Sequence, residues 1–285
     1  MNQLNLFENN EKKDQPSKIG QTSIDYKDTS SILTKASGFM GEYDYTINPY
    51  SGCSFGCTYC YAAFFSRNKD KMDNWGYWVT VKQNALAMLK KKRKKPMIDK
   101  RIYMSSVTDP YQPIDKKLKL SRDILQELLD YHDIRLVIQT RAPLVTRDID
   151  LFLKFKVIQV NMTITTDSEE VRKVFEPICP SNKMRIEAIK KIHEEGVRCC
   201  ITMTPLLPVV DADKFALSLK QTGIRNFIIQ PFHSTKGKFV AGTRSAALNL
   251  INKYNWDDQR YNEVLNTIIK YIPDIGKGKS GFAPI

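Results

Sequence analysis

Cys53, Cys57 and Cys60 stand in one short stretch, Cys-Ser-Phe-Gly-Cys-Thr-Tyr-Cys. A fold that carries this stretch must present it as a loop with three thiols close together. An iron–sulfur cube suits the spacing best, because thiolates normally hold all four of its irons. Three close thiolates would hold three irons and leave the fourth open. An open iron can chelate a small ligand and pass it an electron. Structural zinc is the alternative, and it wants a fourth Cys or His at a recognisable spacing. The other cysteines, Cys179, Cys199 and Cys200, form no second C-x2-C pair, and the histidines are His132, His193 and His233. A disulfide framework suits poorly a 285-residue chain with six cysteines and no recognisable secretory segment.

Alternation places the array. Residues 43–48, Tyr-Asp-Tyr-Thr-Ile-Asn, read as a short strand that Pro49 and Gly52 end, so the cysteines occupy the loop after it. Residues 102–105, 134–139, 158–165, 198–203 and 226–230 read as further short, mostly apolar strands. Helical stretches lie between them at 121–131, 148–155, 183–195 and 211–222, and Ile186, Ile189 and Ile192 give the third of these an apolar stripe. The alternation predicts an α/β fold on a parallel sheet of six βα units, with chemistry at the carboxyl ends of the strands. Cys199 and Cys200 fall inside an apolar strand, where burial is expected. Residues 1–35 are polar and predict a disordered tail. Residues 36–248 form the catalytic domain, and residues 249–285 a small helical cap around a helix at 256–271.

Asn48 to Tyr61, Asn-Pro-Tyr-Ser-Gly-Cys-Ser-Phe-Gly-Cys-Thr-Tyr-Cys-Tyr, closely resembles the radical S-adenosylmethionine (SAM) proteins grouped with spore photoproduct lyase. The C-x3-C-x2-C spacing is the signature of that superfamily. Further segments are similar to the uncharacterised branch of the group, in the same order. They are Ser-Ser-Val-Thr-Asp-Pro-Tyr-Gln-Pro at 105–113, Thr-Arg-Ala-Pro-Leu-Val-Thr-Arg-Asp at 140–148, residues 160–166 followed by Phe175-Glu176-Pro177, and Gly-Phe-Ala-Pro at 281–284. Arg141 stands where the group usually has Lys.

The resemblance implies a partial (β/α)6 TIM-like barrel, a 4Fe-4S cluster on Cys53, Cys57 and Cys60, and SAM on the open iron. It implies reductive cleavage of SAM to a 5′-deoxyadenosyl radical that abstracts hydrogen from a substrate, with an electron donor such as flavodoxin or ferredoxin. Tyr59 would lie near the adenine, and Tyr59 and Tyr61 stand where tyrosines assist hydrogen transfer. Ser105, Ser106, Asp109, Arg141 and Thr163 are the implied SAM-binding residues. A polar side chain at a strand end can bond ribose hydroxyls, and a fixed cation can pair with the methionine carboxylate. One departure stands out. Spore photoproduct lyase carries a hydrogen-donating cysteine shortly after its second strand, and the corresponding Met-Ser-Ser-Val-Thr-Asp at 104–109 has none. Cys179 is the substitute donor on offer. His233, after the last strand, reads as a satisfied or solvent-facing histidine.

Charge bounds the partners. The net charge is +13, and residues 90–95 are an unbroken basic run, Lys-Lys-Lys-Arg-Lys-Lys. A basic run is usually a solvated face, but an excess over the whole chain is the electrostatic footprint of nucleic-acid binding. Within the tail, Gln3, Leu4, Leu6 and Phe7 of Gln-Leu-Asn-Leu-Phe resemble the bacterial sliding-clamp-binding peptide, which points to DNA. The absence of a long apolar stretch predicts a cytoplasmic chain without a membrane span. Three functions stand side by side: lesion repair or base modification of DNA, modification of RNA or a peptide, and a non-catalytic iron–sulfur nucleic-acid-binding protein.

Overall fold

The computed structural model describes residues 15–66, 68–232 and 245–285. In chain order its strands are β1 Lys18–Ile19, β2 Thr22–Lys27, β3 Leu33–Lys35, β4 Tyr45–Ile47, β5 Tyr50–Ser51, β6 Trp78–Lys82, β7 Ile98–Met104, β8 Asp133–Thr140, β9 Val157–Thr163, β10 Arg198–Leu206, β11 Asn226–Pro231 and β12 Ile275–Lys277. The larger sheet runs β12-β11-β10-β9-β8-β7-β4-β3. All its pairings are parallel except that of β3 with β4. The six expected parallel strands are therefore present in βα order and form the partial barrel.

The two faces of this sheet differ in chemistry. Leu136 and Ile138 of β8, Ile158, Val160 and Met162 of β9, and Ile201 and Met203 of β10 face a layer of helices. The helices answer with Ile124 and Leu128 from Leu120–Tyr131, Ile189 and Ile192 from Asn182–Glu194, and Phe215 and Leu219 from Ala212–Lys220. Each such side chain contributes about 1.5–3 kcal/mol by leaving water. The inner face is apolar at one end, where Tyr43, Tyr103, Val137, Cys200, Ile228 and Phe282 cluster. Beside that plug it is polar. Tyr103 donates to Gln139 at 3.0 Å, and the Gln139 amide donates to Thr163 at 2.7 Å and Thr202 at 3.0 Å. Cys199 and Cys200 are buried as expected.

Three expectations need correction. The apolar stripe of Asn182–Glu194 runs through Arg185, Ile189 and Ile192, while Ile186 is only half-buried. That spacing of four and three is the true helical period, and it places a charge in the core. Residues 18–35 are not tail: Thr22 and Ile24 alternate inward in β2, which pairs in parallel with β6 from Ser23↔Trp78 to Lys27↔Lys82. The C-terminal segment is more than a helical cap. After the helix Asp258–Tyr271, β12 extends the sheet beside β11, and Phe282 plugs its inner face. The basic run ends in the turn Lys91–Lys94 before β7, so the length of β7, about 20 Å, separates it from the strand's carboxyl end. Arg93 in that run is held by Glu127 and stacks on Tyr131. Among the described residues no helix is long and apolar enough to cross a membrane.

A smaller sheet, β1-β2-β6-β5, backs the cysteine loop. The fit is close at Gly52, whose φ is +78°. A Cβ there would lie 2.5 Å from the Trp78 carbonyl oxygen and 2.6 Å from its ring. Gly52→Ala therefore meets both a disfavoured backbone and a clash, and should cost about 1–3 kcal/mol. Chemical denaturation measures this, and a variant as stable as wild type would contradict the close packing.

Candidate active site

The cysteine loop is braced from two strand ends. After β7, Thr108 donates to the Gly52 carbonyl at 2.6 Å, and Gln112 accepts from the Ser54 amide at 2.9 Å while donating to Thr108 at 3.2 Å. After β9, the Phe175 carbonyl accepts the Thr58 amide at 2.8 Å. Cys53 and Cys57 are buried and Cys60 half-buried. Burial pushes the Cys53 thiol up, and the Cys60 thiol up to about 11. Cys57 goes the other way. A hydrogen bond with Cys179 is the main cause, burial opposes it, and the Arg141 guanidinium assists. The two sulfurs lie 3.6 Å apart, and burial pushes the Cys179 thiol up.

The chemistry of the donor set fits a cluster, with three thiols on one loop and two polar groups, the Ser105 hydroxyl and the Arg141 guanidinium, at the strand ends beside it. Among the described residues no three His, Cys, Asp or Glu side chains converge on a single ion. At the end of β7, Ser105 has a φ of +76°, and its buried hydroxyl has no hydrogen-bond partner. That orphaned group and the partly exposed Arg141 are free to take a polar ligand at the strand ends.

Beneath the loop lies a buried charge cluster centred on Glu176. Its Oε1 accepts from the Tyr59 hydroxyl, from Thr165 at 3.1 Å and from Arg141 Nε at 3.5 Å. Its Oε2 lies 2.6 Å from Arg185 Nη2, and both side chains are fully buried. Arg141 Nη2 also donates to the Tyr59 hydroxyl at 3.0 Å. Burial raises the Glu176 pKa, but Arg185, Arg141 and the Tyr59 hydroxyl outweigh it and bring it to about 2. Burial keeps Tyr59 protonated.

The expected site residues fall into separate groups. Tyr59, Arg141, Cys57 and Cys179 come together around Glu176 and the loop. Ser105, Ser106 and Tyr61 form a second group at the ends of β4 and β7. There the Tyr61 hydroxyl donates to the Ser106 carbonyl, and Ser106 Oγ accepts from Asn48 at 3.3 Å. Thr163 belongs to the inner polar network with Gln139 and Thr202. Asp109 is a latch: its carboxylate accepts from Thr140 at 2.8 Å, the Tyr111 amide at 2.9 Å and the Arg141 amide at 2.7 Å. It holds the β7 and β8 loops together. His233 and the Gln3–Phe7 peptide lie outside the described residues. Glu176, Arg185, Gln112 and Asn48 were not singled out as site residues. A signal existed for Arg185, a charge at the correct helical period within an apolar stripe.

The Glu176 pKa sets an acid limit. The folded value is about 2 against an ordinary 4.5, so its stabilisation is complete above about pH 4.5 and is lost as pH falls toward 2. The shift corresponds to on the order of 3 kcal/mol. Glu176→Gln should flatten the stability profile of the protein across that interval, read by denaturation at stepped pH. An unchanged slope would mean the carboxylate is not held ionised.

This geometry can be set beside known proteins. The chain is 35% identical over 234 residues to an uncharacterised protein of Methanocaldococcus jannaschii, spanning 79% of this chain and 86% of that one. An uncharacterised protein of Mycobacterium tuberculosis is 26% identical over 226 residues, spanning 74% of this chain and 66% of the other. In fold, the chain is similar to a solved variant of spore photoproduct lyase with a TM-score of 0.63 and 17% identity, over 90% of this chain and 81% of that one. A second variant, with bound AdoMet and dinucleoside spore photoproduct, superposes with a TM-score of 0.60 and 16% identity over the same shares. Residues 47–220, more than half of the chain, match the Radical SAM superfamily, and the protein belongs to that family, whose members use a 4Fe-4S cluster and SAM.

Proposed function

We propose that this protein is a radical SAM enzyme acting on nucleic acid, with DNA lesion repair or base modification as its reaction and RNA as the competing substrate. The carrying observation is an exposed aromatic pair at the edge of the cysteine loop. Tyr61 directly follows Cys60, is 41% exposed, and meets Phe65, 62% exposed, edge-on at 6.1 Å. Exposed rings stack unpaired bases whatever their sequence. A net charge of +13 draws a polyanion toward them. The solved structure with a dinucleoside lesion, in a similar fold, supports the same reading.

The roles divide by position. Cys53, Cys57 and Cys60 hold the cluster, and Arg141 and the Ser105 hydroxyl bind SAM, with Tyr59 packing beside it. When bound, the reduced cluster and SAM supply a 5′-deoxyadenosyl radical for hydrogen abstraction. Tyr61, exposed and tied to the Ser106 carbonyl, is the tyrosine assigned to the substrate and to hydrogen transfer. Cys179 sits against Cys57 behind the loop, so its role is a hydrogen bond to the Cys57 thiolate rather than donation to a product radical. Such bonds to cluster sulfurs tune the reduction potential. An electron donor of the flavodoxin or ferredoxin class would serve the cluster.

The deciding experiment is anaerobic incubation of reconstituted protein with SAM, reductant, and plain or UV-irradiated DNA, followed by nucleoside mass spectrometry. A changed DNA nucleoside is expected, together with 5′-deoxyadenosine. Cys57→Ala should lose both, because one iron loses its protein ligand. A product from RNA alone would overturn the DNA assignment.

The tail peptide is proposed as a tether to the bacterial sliding clamp. Gln3, Leu4, Leu6 and Phe7 supply the anchors, and ordering a free peptide limits affinity to about micromolar. Titrating the isolated peptide against clamp should show saturable binding that changing Leu6 and Phe7 to Ala abolishes. No binding at high micromolar concentration would remove the clamp as partner.

A further inference from the structure

Two guanidiniums share one carboxylate beneath the cysteine loop, and they share it unequally. Arg185 is fully buried and takes Glu176 Oε2 at 2.6 Å. Its other edges are engaged by the Pro180 carbonyl at 2.9 Å and the Thr163 carbonyl at 3.2 Å. Arg141 reaches only Oε1, at 3.5 Å, an oxygen already occupied by Tyr59 and Thr165. Its side chain stays 21% exposed, and its one close hydrogen bond among the described residues is to the Tyr59 hydroxyl. The nearby Asp109 carboxylate meets the Arg141 backbone amide rather than the guanidinium. Of the two guanidiniums that face this one carboxylate, Arg141 is the less committed and the more exposed.

We propose that Arg185 is a positioning residue that sets the charge of Arg141: by neutralising Glu176 it leaves the Arg141 guanidinium free to bind the carboxylate of SAM. Arg185 lies inside the fold and touches no ligand. Its influence runs through the shared carboxylate. Without Arg185, Glu176 would recruit Arg141 as its sole counter-ion, and the ligand carboxylate would face a neutral pair. The inference rests on the assignment of Arg141 to SAM binding and adds a residue that no family motif indicates.

The test is a double-mutant cycle on cluster-loaded protein, with wild type, Arg185→Met, Glu176→Gln and the double variant. Binding is measured anaerobically by calorimetry with two uncleaved probes. S-adenosylhomocysteine carries the amino-acid carboxylate, and 5′-methylthioadenosine keeps the nucleoside and lacks it. Arg185→Met should weaken S-adenosylhomocysteine tenfold or more and leave methylthioadenosine within twofold. Adding Glu176→Gln should restore the first probe to within about threefold of wild type, because the Arg141 charge is freed again. Arg185→Met leaves Glu176 with Tyr59, Thr165 and Arg141, so folding should survive, and iron content and thermal unfolding check this. Equal weakening of both probes, or no recovery in a folded double variant, would make Arg185 merely structural and overturn the proposal. Wild type binding neither probe would sink the SAM-site assignment itself.

Discussion

A carboxylate cut off from water is tolerated only when its charge is compensated, and Glu176 is ion-paired with Arg185 through Oε2 and hydrogen-bonded through Oε1, by groups from four places in the chain. Tyr59 comes from the cysteine loop, Arg141 from the end of β8, Thr165 from the end of β9, and Arg185 from the helix Asn182–Glu194. Breaking such a cluster by removing one partner typically costs about 3–5 kcal/mol. That penalty makes the arrangement specific: the loop, two strand ends and a helix must meet at one point, or a buried charge is left uncompensated. The position of the three thiols relative to the barrel follows from this constraint.

The rest of the surroundings works as scaffolding for the same loop. The Thr-Asp-Pro-Tyr-Gln-Pro segment resembles a family block, and its residues act here through structure. Thr108 and Gln112 hold Gly52 and Ser54, and Asp109 fastens the β8 loop. Arg147 of the next block bridges Asp115 and Asp148. A site whose ligand-binding groups are locked by such contacts loses little further freedom on binding. The orphaned Ser105 hydroxyl and the loosely held Arg141 lie beside these braced segments.

The two tyrosines of the loop have different environments despite their closeness in sequence. Tyr59 is buried, locked on Glu176, and packs near Phe175 at 6.3 Å between ring centres. Tyr61 is turned outward with Phe65. Their separation gives the loop one buried aromatic ring and one exposed one. The basic run at 90–95 lies at the opposite end of β7 from the loop, and one of its cations is committed to Glu127.

The sequence by itself determined the cluster loop, the six parallel strands and the order of the helices. Each is a local pattern: thiol spacing, short apolar runs and helical periodicity are written within a few residues. It also carried, unread, the alternation of β2 and the inward Arg185, both visible at the correct period. Tertiary structure alone decided which polar residues meet. Gln159, Asn161 and Thr163 line the inner face of β9 only because β8 and β10 close around it in register. Asp109 became a latch and Cys179 a neighbour of Cys57 because loops far apart in the chain were brought together. The β12 strand and the Phe282 plug depend likewise on a finished sheet to receive them. Hydrogen bonds and ion pairs between distant residues require a complete fold to define their distances, and no local pattern encodes them.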